Sequence, residues 1–125
     1  MKKLFFLLIG IVFVFGFDLK DAKFYELACN NGDIKMCVAA AEIYDFYLKN
    51  YKKAVPLYEE ACKHDNLKFN SEACYNLGLL YFYGKGVSKN YYKAYEYWIK
   101  AAKKGNTKAQ HNLDILCREH PWACK

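Results

Sequence analysis

Between Tyr91 and Ala102 the apolar side chains return every third or fourth residue. Positions 91, 94, 95, 98, 101 and 102 are apolar or aromatic, and lysines lie on the other side. That spacing predicts a helix with one buried stripe. Asn50–Cys62 overlays Asn90–Ala102 without a gap at an offset of 40, and Asn50 and Asn90 fall at matching cap positions. A second pattern, Ala73-Cys74-Tyr75-Asn76-Leu77-Gly78-Leu79-Leu80-Tyr81, places Ala73, Leu77, Leu80 and Tyr81 on one face with Gly78 beside it. A glycine inside a helix costs about 1 kcal/mol, so Gly78 implies close approach of a neighbouring aromatic ring. The pattern predicts helices over 18–29, 34–47, 51–63, 71–83, 91–104 and 107–118. Pro56 fits the third of these if regular hydrogen bonding begins near Lys53. Gly84-Lys85-Gly86-Val87 closes the fourth with residues that accept positive φ. It reads as a turn and not a phosphate cradle, since a third glycine and a preceding strand are missing.

The two helix types alternate. Ala28-Cys29-Asn30-Asn31-Gly32-Asp33 with Met36-Cys37, Ala61-Cys62 with Ala73-Cys74, and Ala101-Ala102-Lys103-Lys104-Gly105-Asn106 with Ala109-Gln110 mark the same joint three times. A repeat of about 36 residues means stacked helix pairs, each burying its face on the next. The second cysteine pair has eleven intervening residues instead of seven, so the loop over 63–70 is four residues longer. The third joint carries Ala102 and Gln110 where cysteines would sit.

The chain ends and composition narrow the class. Met1-Lys2-Lys3 is followed by about twelve apolar residues, the shape of a secretory signal peptide and shorter than the roughly 20 a membrane span needs. Val14 and Gly16 are small enough for a cleavage site, which places the cut after Gly16; an uncleaved anchor is the alternative. Removing sixteen of the 125 residues leaves 109, enough for one domain, 17–125, with no stable membrane span. All six cysteines fall within it, and export with an even cysteine count points to disulfides in a secreted or periplasmic protein. Without Lys2 and Lys3 the 19 basic residues become 17 against 13 acidic, spread over many helices with a single arginine, Arg118. No clustered basic face is present, which argues against nucleic-acid binding.

The run from Ala73 to Tyr81, with Gly84-Lys85-Gly86-Val87, Tyr92-Lys93-Ala94, Trp98-Ile99-Lys100-Ala101-Ala102 and Gly105, resembles the Sel-one-like repeat almost position for position. That repeat is a relative of the tetratricopeptide helix pair. With cysteines at the end of one helix and the start of the next, the chain looks like the exported Helicobacter cysteine-rich proteins. The resemblance implies an all-α fold: a right-handed stack of helix pairs, a short solenoid with one full repeat over about 71–106 and partial repeats on either side. Six cysteines allow fifteen pairings. The repeat register implied by the resemblance joins Cys29 to Cys37, Cys62 to Cys74, and Cys117 to Cys124, each at one hairpin joint. Each ring would contribute about 2–3 kcal/mol by loop entropy.

The resemblance also implies penicillin binding or weak β-lactamase activity, for which no apparatus is visible. Neither Ser71 nor Ser88 begins Ser-x-x-Lys, Lys-Thr-Gly is absent, and Ser88-Lys89-Asn90 is a plausible helix cap. His64, His111 and His120 are far apart, and Cys117-x-x-His120-x-x-x-Cys124 offers three zinc ligands where four are usual. No metal or cofactor is expected. The preferred reading is a monomeric binding scaffold for a peptide, a protein or a cell-wall component of peptidoglycan type; the alternative is a hydrolase acting on β-lactams. Ile43, Leu77, Leu80 and Leu113 are expected to pack the stack, and Tyr58, Tyr81 and Trp98 to fill its core. Tyr75, Tyr92 and Tyr97 are candidates for a groove. First helices of successive pairs line the inner face of such stacks, so Asp45, Asn76, Lys108 and Asn112 are expected to be exposed there. Asn76 and Asn112 are the expected ligand contacts, with the loop over 63–70 as the other candidate.

Overall fold

A computed structural model describes residues 5–8, 11–14, 16–64 and 69–125. Two four-residue strands come first, β1 (Phe5–Leu8) and β2 (Ile11–Val14), paired antiparallel with Phe5 opposite Val14 and Leu8 opposite Ile11. Of the expected leader, residues 1–4, with both lysines, 9–10 and 15 lie outside the described residues. From Leu19 onward every described element is helical: α1 (Leu19–Asn30), α2 (Ile34–Glu42), α3 (Tyr51–Cys62), α4 (Asn70–Tyr83), α5 (Tyr91–Lys103), α6 (Thr107–Glu119) and a 3₁₀ turn at Pro121–Ala123. Each helix packs mainly on its neighbours in sequence, which is the one-dimensional contact order of a helical repeat. The body is therefore an all-α stack of helix pairs, with α2/α3 and α4/α5 complete, α1 before them and α6 after.

The starts of these helices follow from their caps. Asp18 and Asp21 form a reciprocal capping box at α1. Asn50, Asn90 and Asn106 each accept from the backbone N–H three residues on, opening α3, α5 and α6. Gly84 ends α4 in the left-handed region at φ 71°. Two residues later Gly86, at φ 75°, lies so close to the Tyr51 carbonyl that a Cβ would sit 2.7 Å from its oxygen. The glycine pair is thus a turn pressed onto the start of α3.

Two local expectations need correction. The helix over 34–47 stays α-helical only to Glu42 and then widens into a π-helical turn, Ile43–Tyr47, closed by Leu48 N–H donating to the Ile43 carbonyl at 3.0 Å. The wider turn sends Tyr44 to Glu26 on α1 (2.8 Å) and Asp45 to the Tyr58 hydroxyl on α3 (2.9 Å). Regular bonding in α3 begins at Ala54, whose N–H donates to Asn50, so Pro56 removes an interior bond to the Lys52 carbonyl. Both residues are exposed, which leaves water free to replace it.

Ile43, Leu77, Leu80 and Leu113 are buried, with Tyr58 and Trp98 among the largest fully enclosed side chains. Tyr81 is only half-buried, donating to Glu59 and stacking on Tyr97 at 5.7 Å. Trp98 lies across Gly78, where a Cβ would overlap the indole, and its Nε1 donates to the Tyr75 carbonyl at 3.1 Å. Disulfides join Cys29 to Cys37, Cys62 to Cys74 and Cys117 to Cys124. The first two staple the α1–α2 and α3–α4 joints, and the third ties the end of α6 to the chain terminus.

Candidate functional site

The helix-pair register places α2, α4 and α6 on one side of the stack. Where the C-terminal half of α2, the starts of α4 and α6 and the α5–α6 loop converge lies a groove of about 510 Å³. Val38 and Glu42 form one wall, Phe69, Ser71 and Glu72 the floor at the start of α4, and Lys104–Lys108 the far wall. A shallower recess of about 200 Å³ continues it along α2, sharing Val38, Glu42 and Phe69 and adding Lys35 and Ala39.

Each wall follows from local sequence. On α2, Lys35, Val38, Ala39 and Glu42 fall one turn apart, so they share a face. Gly105 takes φ 89°, which folds the α5–α6 loop tightly enough for Asn106 to cap α6 and to donate through Nδ2 to Glu72 at 3.3 Å. Lys108 meets the other oxygen of Glu72 at 2.8 Å and lies 5.0 Å above the Tyr75 ring. The Glu72 hydrogen bond holds the Lys108 ammonium above the ordinary lysine range. Glu42 is different. Burial, then the charges of Glu72 and Asp45, raise its carboxyl above the ordinary 4.5, and Lys108 offsets this only in part.

The expected contact residues are placed unequally. Asn76 is 4 % exposed and hydrogen-bonds the Tyr58 side chain, which itself donates to Asp45. Asp45 is buried as well, so the exposed placement of both is corrected: α4 is covered on two sides, and its Asn76 face is turned into the stack. Asn112 is half-buried beside a crevice of about 110 Å³ among Leu79, Phe82, Trp98 and Ile115. Lys108 alone of the four is exposed, at the groove wall. Of the loop candidate, Lys63, His64, Phe69 and Asn70 are described; Lys63 and His64 pair with Glu60, and Asn70 is enclosed, donating to the Cys62 and His64 carbonyls. Tyr75 sits under Lys108, Tyr97 on Tyr81, and Tyr92 is exposed beside Trp122. Missed in the sequence were Val38, Glu42, Glu72 and Lys104, whereas Phe69 belongs to the loop candidate. Only the one-turn spacing of 35, 38 and 42 on α2 hinted at a shared face.

Catalytic groups do not converge. Ser71 lines the groove mouth and Ser88 is exposed, and among the described residues neither makes a side-chain hydrogen bond to a lysine. Among the described residues no cluster of three or more His, Cys, Asp or Glu could hold a metal, and His120 packs on the Tyr91 ring at 4.4 Å. No described helix is long and apolar enough to cross a membrane.

A stack of helices, each packed on its neighbours in sequence and bearing a mixed-charge groove, is the architecture of a helical repeat protein. The Sel1 repeat profile matches residues 22–33, 45–66 and 71–106, more than half of the chain, so the chain belongs to the Sel1 repeat family. Over 75 residues it is 37 % identical to the ERAD-associated E3 ubiquitin-protein ligase component HRD3 of Candida glabrata, covering 60 % of this chain and 8 % of that protein. The crystal structure of a Sel1 repeat protein from Oxalobacter formigenes superposes with a TM-score of 0.66 at 24 % identity, over 76 % of this chain and 39 % of that one. That likeness concerns the fold. Sel1 repeat proteins typically act as protein-interaction scaffolds.

Proposed function

We propose that this protein is an exported, disulfide-stapled scaffold of the cysteine-rich Sel1-repeat branch, and that its groove holds an extended segment of a peptide or partner protein. The groove between the C-terminal half of α2 and the starts of α4 and α6 is the observation that carries this reading. The apolar side chains of Val38 and Phe69 give area for burial, and the polar groups around them supply backbone and side-chain partners that fix register. The three disulfides suit an oxidising compartment, and the first two hold the α1–α2 and α3–α4 joints.

The test is to pan the oxidised protein against a random dodecapeptide display library. Enriched peptides should lose binding to Ser71→Tyr, which fills the groove mouth, while the melting temperature stays within a few degrees. Peptides that bind Ser71→Tyr equally well would move the site elsewhere, and no enrichment would remove the reading. Export predicts that maleimide labels the cysteines in cells only after reduction. A chromogenic cephalosporin should remain unhydrolysed; turnover that co-purifies with the protein and vanishes on Ser71→Ala would restore the hydrolase alternative.

A further inference from the structure

The groove carries two carboxylates in different states. Glu72 is neutralised within the protein by Lys108 at 2.8 Å and by the Asn106 amide at 3.3 Å. Glu42, on the opposite wall, makes no hydrogen bond or ion pair among the described residues, although it is half-buried beside Val38 and Phe69. The charges that act most on it are Glu72, Asp45 and Lys108. Lys108 is committed to Glu72, and Lys35 and Lys104, which also line the groove, form no ion pair with Glu42 among the described residues. Asp45, three residues on, is engaged by the Tyr58 hydroxyl. A half-buried carboxylate with apolar flanks and no cation of its own carries a desolvation cost that a bound cation would offset.

Resting on the reading of the groove as a peptide site, we propose that Glu42 is a specificity-determining contact for a lysine or arginine side chain of the bound segment. The ammonium or guanidinium lies against the Glu42 carboxylate, and its methylene stem packs along Val38 and Phe69. Arginine and lysine stems suit such a wall, because they bury apolar length and leave only the head to be paired. The carboxylate pair of the groove thereby divides its work. Glu72 holds the α6 wall in place through Lys108 and Asn106, whereas Glu42 faces the ligand.

Fluorescein-labelled nonapeptides with an Ala/Leu/Ser background and a central Lys, Arg, norleucine or Glu provide the test, read by fluorescence anisotropy. The Lys and Arg peptides should bind and lose affinity for Ser71→Tyr. Norleucine, which keeps the stem and removes the charge, should weaken binding about ten-fold, the loss of one charge-assisted contact. Glu42→Gln should weaken the Lys and Arg peptides by a similar factor and leave the norleucine peptide unchanged. Glu42→Asp, which retains the charge, should keep the preference for Lys over norleucine. If peptides bind in a manner blocked by Ser71→Tyr but do not discriminate Lys from norleucine, or ignore Glu42→Gln, the cation inference is overturned and the groove stands. If none of the four peptides binds, the inference falls; failure of the display selection as well removes the groove reading too.

Discussion

At the scale of single residues, burial decides which polar groups are structural. Asp45 is enclosed where α2 opens into its π-helical turn, and burial is the largest cause that holds its carboxyl above the ordinary 3.8, against the Tyr58 hydrogen bond that favours the charged form. A carboxyl whose folded value is raised takes up a proton more readily when folded. Its contribution to stability is therefore lost as pH rises from the unfolded value through the folded one. Asp45→Asn keeps an acceptor for Tyr58 and has no charge to bury. Chemical denaturation across the pH range just above 3.8 should show wild type losing stability relative to Asp45→Asn; parallel curves would contradict this. Gly78 is the counterpart among apolar contacts. Gly78→Ala forces the Trp98 indole away from α4 and breaks its bond to the Tyr75 carbonyl, a cost of about 1–3 kcal/mol in a packed core. Trp98→Phe in the same chain should recover part of the fall in melting temperature.

At the scale of elements, the joints matter more than the helices they connect. The Cys62–Cys74 bond spans the longest of the three disulfide rings and ties the end of α3 to the second turn of α4, near the groove floor at Phe69 and Ser71. Cys62→Ala with Cys74→Ala should lower stability by about 2–3 kcal/mol on loop entropy. The same pair of changes should weaken any groove ligand, because the position of α4 relative to α2 sets the width of the site. Equal loss from removing Cys117–Cys124 would contradict the second half, since that bond holds the far end of the stack. Gly105 acts at the unstapled joint, where a positive φ and the Asn106 cap do the work of a disulfide.

At the scale of the whole molecule, the groove lies on one side of a row of helices, and binding there should respond to the protonation of its walls. Burial, then Glu72, raise the Glu42 carboxyl above the ordinary 4.5. A cationic ligand selects the deprotonated form and so must release that proton. Affinity for the central-Lys peptide should therefore rise as pH increases through the range above 4.5, while the norleucine peptide shows no such rise. Titration calorimetry in two buffers of different ionisation enthalpy would register the proton release; identical heats there would argue against it.

The helix starts and ends were legible from one-turn periodicity and from Asn and Gly at caps, because both act within a few neighbouring residues. So were the repeat and the aromatic neighbour of Gly78, since a glycine inside a helix needs a spatial reason. The π-helical turn was not, because Tyr44 and Asp45 are drawn to α1 and α3 by partners distant in sequence. The candidate site was scarcely legible. Asn76 and Asn112 hold equivalent repeat positions, yet one is sealed between neighbouring helices and the other sits half-buried near the end of the stack. Sequence by itself determined a stapled stack of helix pairs, since periodicity, caps and joint cysteines are local and repeated. Only tertiary structure decided that Glu42, Glu72, Phe69 and Lys104 share one groove. Their convergence depends on how α2, α4 and the α5–α6 loop pack, and no local pattern encodes the distance between elements.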